Sequence, residues 1–253
     1  LFCGLTNYQT GVKYPLADFN ITPDVAIVDP DLVMGLPVKQ VAYTGMDALT
    51  HSIEAYVATA HTDLTDCLAL KSAQMVFENL EDSCNGSSEA RKQVHVGQDM
   101  AGMSFSNALL GIVHSLAHKV GVNYGITHGR CNAIMLPYVI EYNSLVAADR
   151  FADIADALGL SGATDKQKVN ALVRAIKDLN ASIGIPVSYQ AAGVDENVYK
   201  ETLDVLAEAA RYWVIVPIPG PISSTKSSFV IPAALTILSS TWESIKKFCP
   251  NFF

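Results

Sequence analysis

The stretch from Met100 to Val122 constrains the fold more than any other part of this sequence. Its large apolar residues recur around most of a helical circumference, and they are Met103, Phe105, Leu109, Leu110, Ile112, Val113, Leu116 and Val120. A helix that is apolar on nearly every side has to be covered by other elements. The pattern therefore predicts one long helix at the centre of a helical bundle, with Gly121 and Gly125 as candidate stops.

The flanking segments predict more helices behind a short β entry. Apolar residues recur at helical spacing over residues 41–56, and over residues 64–80 after a Thr62-Asp63 start. Further helices are predicted at 132–142, at 150–158, after the capping-box pattern that begins at Thr164, and at 196–211. The apolar, β-branched run 25–28 is flanked by Pro-Asp and Asp-Pro turns, which predicts a strand there. The fold class is mainly α, a helical bundle preceded by a short β segment.

We expect three regions along the chain of 253 residues. Residues 1–36 form the β segment, residues 37–211 form an all-helical domain, and residues 212–253 form a tail rich in Pro and Ser. The first residue is Leu1 rather than Met, so we expect the sequence to begin partway through a longer protein.

Charge and cysteine content exclude several classes of partner. The formal net charge of -8 and the pI near 5.1 argue against a nucleic-acid partner or an anionic membrane surface, because both need a surplus of Lys and Arg. No apolar run predicts a membrane-spanning helix. The five cysteines form an odd set without a CxxC pair, which favours a reducing compartment and a cytoplasmic location.

Two pairs of metal-ligand residues stand at helical spacing, Asp47 with His51 and His114 with His118, and His128 follows. Side chains four residues apart share a helix face, so each pair can bind one ion. A lone pair has a simpler explanation, such as a carboxylate near a helix start or a hydrogen-bonded buried histidine. The five groups together predict an open divalent-metal site, in which spacing alone makes His118 as good a ligand as His128.

Both blocks resemble the signatures of the iron-dependent (group III) alcohol dehydrogenases. Residues 45–56 match GxDALTHxxEAY, and residues 111–137 match GxVHxxAHxxGxxYxxxHGxxNAxxLP. Residues 10–18 and 23–30 also resemble the β segment that joins the two domains in that family. The resemblance extends from about residue 10 to residue 210, and it implies the dehydroquinate synthase-like C-terminal domain.

The resemblance also assigns roles to individual residues. Four matching positions are implied to be metal ligands: Asp47, His51, His114 and His128. His118 is implied to face the nicotinamide and the substrate as the catalytic residue. Lys13 matches a coenzyme-binding lysine, although a solvated strand-end charge is the simpler interpretation. Phe2 and Phe105 match positions that line the substrate pocket, although both aromatic residues could equally belong to the core.

The activity implied is metal-assisted hydride transfer between a small alcohol or aldehyde and NAD(H) or NADP(H), with His118 as a proton relay. One carboxylate with three imidazoles suits Fe2+ and also accepts Zn2+. A homo-oligomer is compatible with the sequence. The family's glycine-rich coenzyme loop and Thr-Gly-Ser-Glu segment precede the region matched by this chain. Two alternatives stay open: an inactive metal-binding fragment, and a metal hydrolase with Glu54 as its base.

Overall fold

A computed structural model describes residues 2–7, 9, 12–17 and 19–202 of the chain. The predicted tail 212–253 lies outside the described residues, as do the side chains of the first strands. The described part consists of a β-hairpin, two short 3-10 turns and a set of packed helices, which agrees with the mainly α fold class.

The chain enters through an antiparallel pair of strands. Strand β1 (Phe2–Asn7) pairs with β2 (Val12–Ala17) over their full length. The predicted strand at Val25–Val28 is wrong, because these residues have no regular structure and Val25 is 74% exposed. A strand needs a neighbour to accept its backbone hydrogen bonds, and no described strand lies beside this run.

Six long helices follow the two 3-10 turns, which are Phe19–Ile21 and Pro30–Val33. The helices are α1 (Val38–Val57), α2 (Asp63–Cys84), α3 (Ser88–Ala108), α4 (Ile112–Tyr124), α5 (His128–Ala157) and α6 (Asp165–Ser182). Residues 196–202 are also helical. Helix α1 packs against α2, α3 and α5, while α5 also packs against α4 and α6. The centre of the bundle is therefore formed by α1 and α5, not by the apolar stretch 100–122.

Two predicted helix starts are confirmed by their caps. The Thr62 hydroxyl accepts a hydrogen bond from the Thr65 N–H at 3.3 Å, and the Thr65 hydroxyl accepts the Thr62 N–H in return. Thr164 accepts the Gln167 N–H at the start of α6. The Gln167 side chain accepts from the N–H of Ala163 rather than from that of Thr164, so this capping box is closed one residue earlier.

The predicted single helix over residues 100–122 is wrong. Helix α3 ends at Ala108, α4 begins at Ile112, and their axes are bent by 107°. Leu109 has φ of 70°, a left-handed conformation that cannot continue a right-handed helix. The apolar pattern did not reveal the break because both helices bury apolar faces. The bend directs the histidine-bearing helix α4 back towards α1.

The two predicted segments at 132–142 and 150–158 form one helix, α5, with a kink at Ala147. Pro137 lies inside this helix and has no N–H for the carbonyl of Ala133, four residues earlier. The Asn180 side chain from α6 donates to that carbonyl at 2.8 Å. A buried side chain thus replaces the missing backbone bond and joins α5 to α6.

No individual helix in the described ranges has the length and apolar character needed to cross a membrane. Helices α3 and α4, which are bent relative to each other, reach the length and apolar composition of a membrane span only when they are counted together.

Candidate metal centre

Asp47 on α1, His114 on α4 and His128 at the start of α5 converge on one point. Each offers a ligand atom, and the three atoms all lie within 4.8 Å of one another. The His114 Nε2 atom lies 3.4 Å from Asp47 Oδ1, and the His128 Nε2 atom lies 3.6 Å from the same oxygen. Three helices from distant parts of the sequence therefore bring one carboxylate and two imidazoles together.

The carboxylate of Asp47 is surrounded by imidazole rings and a side-chain amide. Burial by itself would raise the pKa of Asp47, but the imidazoles of His51, His114 and His128 hold it well below its usual range. The Asn132 side chain donates to Asp47 Oδ1 at 2.5 Å and lies 3.2 Å from His128 Nε2. Asp47 is therefore an anion that is fixed in place, as a cation ligand has to be.

His114 is buried between two carboxylates. Its Nδ1 lies 2.6 Å from Glu54 Oε2, and its Nε2 is buried without a hydrogen-bond partner of adequate geometry. Burial lowers the pKa of His114, but the carboxylates of Asp47 and Glu54 outweigh it and raise the pKa to about 9. A buried polar atom without a partner is costly, and coordination of a cation by Nε2 would remove that cost.

His51 lies beside this cluster, and its ring stacks on two neighbours. Its centroid is 4.2 Å from the His114 ring and 4.4 Å from the Phe105 ring. Burial and the adjacent His114 lower the pKa of His51 to about 3, so its imidazole is neutral at ordinary pH. His51 is not one of the three residues whose ligand atoms lie within 4.8 Å of each other, although its ring stacks on that of His114.

The remaining residues predicted for the site are placed in part. The His118 ring stacks on the His128 ring at a centroid distance of 4.6 Å, which puts it at the edge of the cluster. Phe105 is partly buried and reaches the site through His51. Phe2 lies in β1 and Lys13 in β2, but their side chains are outside the described part of the chain.

Two residues near the cluster were not assigned a positioning role from the sequence, Glu54 and Gly129. A Cβ atom at Gly129 would lie 2.1 Å from the backbone oxygen of Tyr43, so only glycine lets α5 start this close to α1. Asp47, His51 and Glu54 follow one another at helical spacing. That spacing was the signal that could have placed Glu54 at the site.

The geometry defines a class of protein: a helical bundle with a carboxylate–imidazole site suited to a divalent metal. Residues 41–225 match the model of the Fe-containing alcohol dehydrogenase family, C-terminal region. This match covers more than half of the chain. The protein therefore belongs to the Fe-containing alcohol dehydrogenase family.

Individual relatives agree with this assignment. The chain is 50% identical over 209 residues to an NADPH-dependent butanol dehydrogenase of Clostridium saccharobutylicum, covering 83% of this chain and 54% of that protein. It is 40% identical over 210 residues to an NAD-dependent methanol dehydrogenase of Bacillus methanolicus, covering 81% and 54%. The chain thus spans about half the length of both relatives.

A solved structure shares the fold. The iron-containing alcohol dehydrogenase of Thermococcus thioreducens superposes with a TM-score of 0.80 at 31% identity, covering 99% of this chain and 60% of that one.

Proposed function

We propose that this chain is the metal-binding part of an alcohol dehydrogenase that interconverts small alcohols and aldehydes with a nicotinamide cofactor. The observation that carries the proposal is the convergence of Asp47, His114 and His128 within 4.8 Å. Their donor set, oxygen with imidazole nitrogen, suits Fe2+ and also accepts Zn2+. His51 is the proposed fourth ligand, since its ring stacks on that of His114 at a centroid distance of 4.2 Å.

The family implies a metal ion and a nicotinamide coenzyme. A bound Fe2+ or Zn2+ would polarise the substrate oxygen, and the nicotinamide would exchange the hydride. The protein's own residues prepare the site. Asp47 contributes a negative charge that Asn132 holds in place, and the neutral ring of His51 has one unprotonated nitrogen that can bind a cation. His114 has to give up its Nε2 proton before that nitrogen can bind.

His118 is the proposed proton relay. Its ring lies against His128 and is partly exposed, so it can contact both the site and the solvent. Imidazole titrates near neutral pH and can move a proton between the reacting alcohol and water. We also propose that Phe105 lines the substrate pocket, together with Phe2, and that Lys13 contacts the coenzyme.

The coenzyme is NAD(H) or NADP(H), since one relative is named as NADPH-dependent and another as NAD-dependent. We propose a cytoplasmic location. It is supported by the cysteines whose side chains the structure describes, Cys67, Cys84 and Cys131, because all three are free thiols.

The contacts of Glu54 argue against the hydrolase alternative. A general base has to face the water that it activates. Glu54 is only 3% exposed. One oxygen of its carboxylate accepts the N–H of Val113 at the start of α4, and the other contacts His114 Nδ1. The carboxylate therefore contacts the side of the His114 ring opposite Nε2, and it does not face an open coordination position of the metal.

The test is aldehyde-dependent oxidation of NADH and NADPH by the Fe2+-loaded chain, with butyraldehyde as substrate and coenzyme binding followed by fluorescence. We expect turnover that is lost in Asp47→Asn. The matched control Asp149→Asn, at an exposed position on α5, should keep it. A chain that binds metal but gives neither a coenzyme signal nor turnover would be an inactive metal-binding fragment, and the proposed catalytic activity of this chain would fail.

A further inference from the structure

Glu54 is a buried carboxylate that makes three contacts with the first turn of α4. Its Oε1 accepts the N–H of Val113 at 2.7 Å, and its Oε2 accepts the N–H of His114 at 3.3 Å. The same Oε2 lies 2.6 Å from His114 Nδ1. With 3% exposure, the carboxylate has little water to satisfy it. Its bonds to α4 therefore hold it in place.

The third contact fixes the proton on His114. A carboxylate is only an acceptor, so Nδ1 has to be the nitrogen that carries hydrogen in this contact. The opposite nitrogen, Nε2, is then directed at Asp47 Oδ1, 3.4 Å away, and at the cluster. A carboxylate behind a ligating imidazole fixes its tautomer and ring orientation and increases its basicity.

The first two contacts fix the helix that carries the imidazole. Gly111, the residue before α4, provides no side-chain cap, so the free N–H groups of the first turn need another acceptor. Glu54 supplies that acceptor together with a negative charge at the positive end of the helix. A Cβ at position 111 would lie 2.8 Å from Glu54 Oε1, so the glycine leaves room for this cap.

We propose that Glu54 is a positioning residue of the metal centre, which holds α4 and the His114 tautomer so that Nε2 faces the cation. The inference rests on the proposed function, because it needs a cation at the cluster. It also gives α1 two roles, since the helix that carries Asp47 and His51 aligns the histidine of a second helix.

The test compares Zn2+ affinity in Glu54→Gln with that of wild type, by competition with a chelating dye. The amide oxygen can still accept the Val113 N–H, but the amide NH2 then replaces Oε2 and faces the N–H and the Nδ1 of His114. That contact favours a proton on Nε2, the nitrogen needed for the cation. We expect Zn2+ binding to weaken by about 10- to 100-fold with the helical circular dichroism unchanged. The matched control Glu78→Gln, exposed on α2, should bind as wild type does.

A second measurement needs no variant. Side-chain 15N NMR of the Zn2+-loaded wild-type chain should show His114 bound through Nε2 with its proton on Nδ1. Binding through Nδ1, or a Glu54→Gln variant with wild-type affinity, would overturn the positioning role. If wild type itself binds no Zn2+ or Fe2+, the proposed function fails instead, so the two failures are distinguishable.

Discussion

Gly129→Ala should disturb both the fold and the site, because the added methyl group meets backbone. The new Cβ would lie 2.1 Å from the Tyr43 oxygen and 3.3 Å from Asp47 Cβ. A carbon–oxygen contact of about 3.3 Å is normal, so α5 has to move by roughly 1 Å from α1. Overpacking of this kind costs about 1–3 kcal/mol, and alanine's better helix propensity offsets at most about 1 kcal/mol. We expect a net loss of about 1–2 kcal/mol in the free energy of unfolding.

The same movement should weaken metal binding. Metal–ligand distances are usually held to within about 0.2 Å, while His128 on α5 would shift from Asp47 on α1 by several times that amount. Urea unfolding and Zn2+ titration measure the two effects. The matched control is Gly102→Ala on α3, where a Cβ meets nothing within 4 Å. It should be more stable than wild type by up to about 1 kcal/mol and bind Zn2+ normally. Wild-type stability and affinity in Gly129→Ala would refute the reasoning.

Three further predictions concern other groups. In the chelator-treated chain, the pKa of His114 is raised from 6.5 to about 9. Protonated His114 therefore stabilises the folded chain fully below pH 6.5, and this stabilisation is lost as the pH rises through 9. The free energy of unfolding should fall over that interval, and much less so in His114→Gln. Burial raises the pKa of the Cys131 thiol to about 12. Iodoacetamide at pH 8 should therefore label the exposed Cys67, and it should label Cys131 only after urea unfolds the chain. Peptide mass spectrometry measures both labels. Asn180→Ala should cost about 1–3 kcal/mol in urea unfolding, because the Ala133 carbonyl loses its donor; an unchanged midpoint would contradict that role.

The sequence predicted the helix starts that are fixed by hydrogen bonds between neighbouring residues. Thr62 and Thr164 are caps in the structure as predicted, because a hydroxyl at a helix start bonds to residues only a few positions away. The break after Ala108 was missed for the opposite reason. It is stabilised by Glu54, a residue on another helix, and apolar periodicity carries no information about such a distant acceptor.

The strand predicted at Val25–Val28 failed for a related reason. A β-branched, apolar run shows a preference for extended backbone, but a strand exists only where a neighbour pairs with it. Among the described residues no strand lies beside this run, whereas β1 and β2 pair with each other. Pairing depends on the tertiary structure, whereas the sequence showed only that this run prefers an extended backbone.

Helical spacing predicted the residues of the candidate site but not their grouping, which in the sequence came only from the family resemblance. Helical spacing singled out Asp47 and His114, yet it offered His118 and His128 as equal partners. The structure groups His128 with Asp47 and His114, and it stacks the His118 ring on the His128 ring. That choice depends on where α5 starts relative to α1, which is set by the close contact at Gly129 and not by any ligand spacing.

The central claim is that one cation binds where Asp47, His114 and His128 meet. Elemental analysis of the purified, Fe2+- or Zn2+-loaded chain tests it most directly, beside the double variant His114→Ala/His128→Ala. A control double variant, His61→Ala/His95→Ala, removes two histidines outside the cluster. The account predicts a single tightly held ion per chain in wild type and control, and none in the cluster variant while its helical circular dichroism persists. Equal metal content in all three proteins would contradict the account.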